Sequence, residues 1–244
     1  RDCMQNVYAA LPGNTGGRPV VLLDAHMDEV GFLVTHIEED GFLRVNQVGG
    51  VDRKLYASSC VTVHTASGPL SGVISSVPPH LRKEEKELPA SDEVAVDLGL
   101  SGERARELVC PGDRVTIDCE PAVLLDGSVS AKALDDRACF AILLDALERL
   151  KGEKLDVDVY VLGSTQEETH STGAITAAYG IVPELCVAVD VTHGDSPDGD
   201  KGKTFPLGGG PVIGVGPNCT RWMSRRLQRK AEEAGMDCQI EVMA

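Results

Sequence analysis

Four short clusters in this chain carry side chains that can hold a cation and move a proton: His26 with Asp28, Asp135 with Asp136, Glu167 with Glu168, and Asp190. His26 and Asp28 close an apolar run that is too short for a helix and rich in Val and Leu. Residues two apart on a strand share a face, so this spacing offers an imidazole with a carboxylate beside it. One imidazole plus several carboxylates is a mixed nitrogen and oxygen donor set. It suits Zn²⁺, Co²⁺ or Mn²⁺ better than Ca²⁺ or a thiolate-bound metal. Adjacent acids can divide labour, one ligating while its neighbour stays free as a general base. Two metals about 3.5–4 Å apart need a bridging carboxylate, which either Asp135 or Asp136 could supply. Singly, each cluster reads as a packed histidine, a helix cap, a polar loop or a turn. Together they point to a metallohydrolase with two metal ions.

The elements around these residues are those of an α/β layer. Apolar strands are expected at 20–25, 157–163 and 185–189, and an acidic cluster follows each. Ligands of open α/β sheets bind at such carboxyl ends. Asp135 and Asp136 sit just before an amphipathic helix expected over 136–151, with Phe140, Leu143, Leu144, Leu147 and Leu150 as its stripe and Gly152 as its stop. A small-residue helix is expected over 171–179, ended by Gly180. Near the end, Met223, Leu227 and Ala231 read as the inner face of a helix with a basic outer side, followed by a strand from 238 to 242. The character differs between 37 and 122. Four short alternating segments, at 41–48, 59–65, 68–74 and 114–119, suggest a small barrel or sandwich. This region also holds a Ser101-capped helix and a charged loop at 80–87. The expected organisation is a discontinuous α/β domain, 1–36 and 123–244, interrupted by a β-rich insert at 37–122.

Bulk properties narrow the function classes. A net charge of −15 repels nucleic acid and anionic membranes. No apolar stretch reaches the roughly 20 residues of a membrane span, and no signal peptide is visible. Eight cysteines without a CxxC pair read as reduced thiols of a cytoplasmic protein, with Cys139 and Cys186 packed as small apolar residues.

The ordered set His26-Met27-Asp28-Glu29-Val30-Gly31, Lys132-Ala133-Leu134-Asp135-Asp136-Arg137, Gln166-Glu167-Glu168 and Val189-Asp190-Val191-Thr192 resembles the tetrahedral-aminopeptidase-like family of dinuclear metallo-aminopeptidases. That family includes glutamyl aminopeptidases and proteins once labelled cellulase M or endoglucanase. The likeness extends through Val48-Gly49-Gly50-Val51-Asp52 and Gly208-Gly209-Gly210-Pro211, over essentially the whole chain. It implies a zinc-peptidase-like α/β/α sandwich with a PDZ-like dimerisation insert. It implies two divalent ions, zinc or cobalt with manganese as a third candidate, held by His26, Asp135, Glu168 and Asp190. Asp28 would orient His26, and Glu167 would activate a water bridging the metals. The implied activity is removal of N-terminal residues from peptides, inside dimers that build a tetrahedral dodecamer. The family also carries residues before Arg1 and a final histidine ligand after Ala244, so a fragment is expected. Two other readings compete. A glycosidase would need two carboxylates flanking a sugar and no metal, and an aromatic content of 4% is low for it. A non-catalytic assembly protein on a peptidase fold is the third.

Overall fold

The computed structural model describes residues 1–14, 16, 19–77, 79–81 and 93–243. It divides into two compact units, 1–190 and 191–244.

The first unit opens with β1 (Val7–Leu11) and β2 (Val20–His26). Residues 27–30 then leave the strand, and the chain enters a closed barrel. Its strands are β3 (Gly31–Ile37), β4 (Leu43–Val48), β5 (Cys60–Thr65), β6 (Gly68–Ser75), β7 (Ala95–Asp97) and β8 (Arg114–Ile117), in the order β3-β4-β7-β6-β5-β8. Strand alternation fills the barrel. In β5, Val61 and Val63 point inward while Cys60 and His64 point out. The buried Phe32 and Tyr56 rings meet edge to face at 5.3 Å, and the Tyr56 hydroxyl donates to Gln47 Oε1 at 2.7 Å. Helix α1 (Gly102–Leu108) starts where expected, with the Ser101 side chain accepting from the Arg104 N–H.

The chain then passes through a two-residue hairpin, β9 (Ala122–Val123) and β10 (Val129–Ser130), into α2 (Leu134–Leu150). Strand β11 (Asp158–Ser164), the one-turn helix α3 (Glu167–His170), α4 (Thr172–Ile181) and β12 (Leu185–Ala188) complete the unit. The α/β sheet has the order β1-β11-β2-β12, with β2, β11 and β12 parallel and β1 antiparallel. One face packs Ala25, Val159 and Val161 against Cys139, Leu143 and Leu147 of α2. The other packs Leu22 and Leu162 against Ala177 of α4. In register, Ser164 lies beside His26 and Ala188 beside Asp24, so three strands end at one edge.

The second unit pairs β13 (Val212–Val215) in parallel with β14 (Gln239–Val242), with α5 (Arg221–Glu233) between them in sequence.

The mixed α/β class expected from the sequence is the one observed; details differ. Strand 31–37, read as part of the first α/β segment, belongs to the barrel, which has six strands where four were expected. The short β7 gave too little sequence pattern to be seen. Helix α2 buries Cys139, Leu143 and Leu147 but leaves Leu144 exposed, because 144 falls one position off the buried stripe. Gly180 does not end α4; the helix runs to Ile181 and stops at Val182 in the left-handed region. Helix α5 turns Ser224 and Ala231 inward, the Ser224 hydroxyl donating to the Gly214 carbonyl, and leaves Leu227 exposed. Cys139 is buried as expected, but Cys186 is exposed, since β12 is an edge strand. Of the charged loop expected at 80–87, residues 82–87 lie outside the described residues.

Candidate metal centre

The strand ends build the site. His26 is the last residue of β2, Glu167 follows β11 by three residues, and Asp190 follows β12 by two. Asp135 comes from the start of α2, where it and Asp136 have non-helical backbone angles. The ligand atoms of His26, Asp135 and Asp190 all lie within 4.8 Å of one another. His26 Nε2 is 2.9 Å from Asp135 Oδ1 and 3.9 Å from Glu167 Oε2. The imidazole is 2% exposed while the Asp135 and Glu167 side chains are 58% and 40% exposed, so a buried ring faces acids that reach solvent.

The two members of the Asp pair face different ways. Asp135 points its carboxylate at the His26 ring. Asp136 is wholly buried, and its Oδ2 accepts the His26 backbone N–H at 3.2 Å. Burial pushes the Asp136 carboxyl up to about 6, a hydrogen bond from Cys139 working the other way. Its second oxygen has no partner among the described residues.

Asp28 stands beside the His26 ring. It lies past the end of β2, so strand alternation does not set its direction. The contact to His26 Nδ1 comes first from the Asp28 main-chain carbonyl, at 3.1 Å, with the carboxylate at 3.5 Å. The carboxylate instead accepts the backbone N–H groups of Glu167 and Glu168, at 3.1 and 3.3 Å. Glu168 stands outside the three-residue donor cluster. Burial, then the field of Asp135, raises its pKa. Burial works downward on His26, but the Asp135 hydrogen bond and the neighbouring carboxylates outweigh it and leave the pKa raised. His170 is exposed at the end of α3.

Sequence reading missed the supports of the site. Glu29 pairs with Lys132 at 2.8 Å and with Arg137 at 3.4 Å, and Arg137 Nε donates to the Met27 carbonyl. These contacts tie the loop after β2 to the start of α2. The only signal was that all three residues stood inside the quoted motifs. Gly49, after β4, has φ +73°; a Cβ there would lie 2.8 Å from Val30 Cγ1 and 3.2 Å from Glu168 Cβ. The barrel thus presses on the turn that carries the paired glutamates.

The donor set fits a divalent cation. Asp135, Glu167 and Glu168 surround one imidazole, and among the described residues none of them has a Lys or Arg partner. The two cations at the rim are committed to Glu29. Such an excess of negative charge is what bound dications offset.

Several known proteins are similar to this chain over most of its length. A model of the M42 glutamyl aminopeptidase family matches residues 5–244. The lysyl aminopeptidase of Pyrococcus furiosus is 36% identical over 249 residues, covering 98% of this chain and 69% of that protein. An aminopeptidase of the archaeon Desulfurococcus kamchatkensis superposes with a TM-score of 0.90 at 36% identity, over 99% of this chain and 69% of its own. The TET1 peptidase of Pyrococcus horikoshii, described as assembling into a tetrahedron or a large octahedral shell, gives 0.85 at 34% identity, over 99% and 73%.

Proposed function

The chain belongs to the M42 glutamyl aminopeptidase family, and from that premise we propose that it removes N-terminal residues from peptides at the centre around His26, using two divalent metal ions. The class is a peptide hydrolase. The observation that carries the reading is the convergence of His26, Asp135 and Asp190 on one point.

His26 and Asp190 would hold one ion, Glu168 the other, and Asp135 would be shared between them. Asp135 is the better bridge of the pair, because Asp136 is buried and occupied with the His26 backbone. When bound, zinc, cobalt or manganese ions supply Lewis acidity that polarises the scissile carbonyl and acidifies water. Glu167 takes the proton from the attacking water and delivers it to the departing amine. Its carboxylate stands at the open side of the His26 ring, where water and substrate can reach it. Asp28 positions both His26 and Glu167. The unneutralised carboxylates at the mouth favour the protonated amine of a peptide N-terminus.

We assign the region of the closed barrel, from β3 to β8, as the dimerisation insert and the segments before and after it as the catalytic domain, which moves the boundary expected at 36/37 back to the start of β3. Assembly into dimers and a tetrahedral dodecamer is supported by the likeness to the TET1 peptidase. A cytoplasmic setting is supported by eight free cysteines. Among the described residues no helix is long and apolar enough to cross a membrane.

The test is hydrolysis of a panel of aminoacyl-p-nitroanilides with added Co²⁺ or Zn²⁺, with a chelator and with N-acetylated substrates as controls. Metal-dependent release from free amines alone is expected. Release that survives the chelator, or that ignores acetylation, would overturn the proposal. Cleavage of a glucan in the presence of chelator would instead establish the glycosidase.

A further inference from the structure

Asn6 is completely buried, and its amide group is fully engaged. Nδ2 donates to Asp2 Oδ2 at 2.8 Å and to the Gly173 carbonyl at 3.0 Å. Oδ1 accepts from the Thr165 N–H at 3.0 Å and faces the Thr165 hydroxyl at 3.1 Å. That hydroxyl also lies 2.9 Å from the Met4 carbonyl. Thr165 and Gly173 are the two sides of one neck, closed by the Gly173 N–H donating to the Thr165 carbonyl at 3.0 Å. Between them runs the loop that carries α3, with Gln166 and Ser171 in the left-handed region at either end. The neck has no spare room, since a Cβ at Gly173 would come within 2.2 Å of the Thr165 carbonyl and 2.5 Å of Asn6 Oδ1.

We propose that Asn6 is a positioning residue of the active site: its side-chain amide locks the neck at Thr165 and Gly173 and so fixes where Glu167 and Glu168 stand. The inference rests on the reading of Glu167 as the base. Asn6 touches no reacting group. It acts from below the loop while the Asp28 carboxylate holds the same turn from the side of His26. A buried, fully satisfied amide is well suited to this work, because removing it strands polar partners rather than merely loosening contacts. An apolar residue there could fill the space but could not bridge an N–H on one side of the neck and a carbonyl on the other.

The experiment compares Asn6→Ala with Val63→Ala, a cavity in the barrel core, in the metal-loaded protein. Amide hydrogen exchange and steady-state kinetics on an aminoacyl-p-nitroanilide are both read. Asn6→Ala should speed exchange in peptides covering 165–173 by at least ~10-fold and leave barrel peptides unchanged. It should lower kcat by ~10–100-fold, as loss of a supporting shell does, with KM within about threefold. Val63→Ala should show neither local effect. Unchanged exchange at 165–173, or a kcat no lower than that of Val63→Ala, would overturn the proposal. If Asn6→Ala does not fold, Thr165→Val removes only the hydroxyl from the same neck. It should then give the same pattern at smaller amplitude, and its absence counts equally against Asn6. A wild-type chain without metal-dependent release would sink the peptidase reading alone. Exchange at 165–173 would still report whether Asn6 holds the turn.

Discussion

The Asp28 carboxylate accepts the backbone N–H of Glu167 at 3.1 Å, while the carbonyl of the same aspartate meets His26 Nδ1 at 3.1 Å. One residue therefore links the imidazole to Glu167, the glutamate proposed as the base. Replacing Asp28 by Ala leaves the Glu167 and Glu168 N–H groups without their acceptor and should lower kcat by ~10–100-fold. Metal affinity, read by titration calorimetry, should fall in parallel because the Glu168 turn is freed. A variant with wild-type kcat would show that the turn holds itself.

Glu167→Gln keeps the size of the side chain and its backbone N–H contact to Asp28 but removes the proton acceptor. The expected fall in kcat is ~10²–10⁴-fold, with melting temperature and metal stoichiometry unchanged. Substantial turnover in this variant would move the base elsewhere.

His26→Ala removes the only imidazole of the donor cluster. Metal content by elemental analysis should drop, and the heat stabilisation that added cation gives the wild type should largely vanish. Wild-type protein stripped by chelator and reloaded should regain both. Undiminished metal content in the variant would exclude His26 as a ligand.

Protons and cations should compete for this site. Asp136 is pushed up to about 6, from 3.8, chiefly by burial. Glu168 and Asp24 are raised for the same first cause. Groups whose folded pKa exceeds the unfolded one bind extra protons on folding, and the stability they give is lost as pH rises through the folded value. For Asp136 the window runs from 3.8 to about 6, and the loss amounts to at most about 3 kcal/mol. The lowered carboxyls of Asp2, Glu38 and Glu233 work the other way. The readout is therefore the difference between wild type and Asp136→Asn. In chelator, wild type should lose stability relative to the variant between pH 4 and 6.5. An unchanged difference across that range would refute the linkage.

Thiol chemistry gives a fifth check. Burial, with Asp136 alongside, pushes the Cys139 thiol up to about 12, whereas Cys3, Cys60, Cys110, Cys119 and Cys186 are exposed. Iodoacetamide at pH 8 should label those five in the native protein and reach Cys139 only after denaturation. Mass spectrometry of the peptides reads both, and native labelling of Cys139 would place it at the surface.

What could be read from the sequence followed from local pattern. The parallel strands stood out as apolar runs, and His26, Glu167 and Asp190 stood out as polar residues where such runs stop. Barrel closure could not be read, because pairing β3 with β8 joins residues some eighty positions apart and leaves no short-range trace. The choice between Asp135 and Asp136 had no local signal either; it depends on which one meets the ring, and which the backbone N–H, of a histidine more than a hundred residues away. Strand alternation alone does not place Asp28, which lies two residues past the end of β2. Nothing in the sequence marks Asn6, since its partners at 165 and 173 are supplied only by the fold.

The tight approach at Gly49 bears on how such a protein can be rebuilt or inherited. A barrel borrowed from another protein would bring its own residue to the position facing Glu168. Any side chain there would run into Val30 Cγ1 at 2.8 Å and crowd Glu168 Cβ at 3.2 Å. The barrel and the glutamate turn are therefore not free to be shuffled as separate modules. A recombinant that exchanged one without carrying a glycine at this junction would have to reshape its catalytic edge.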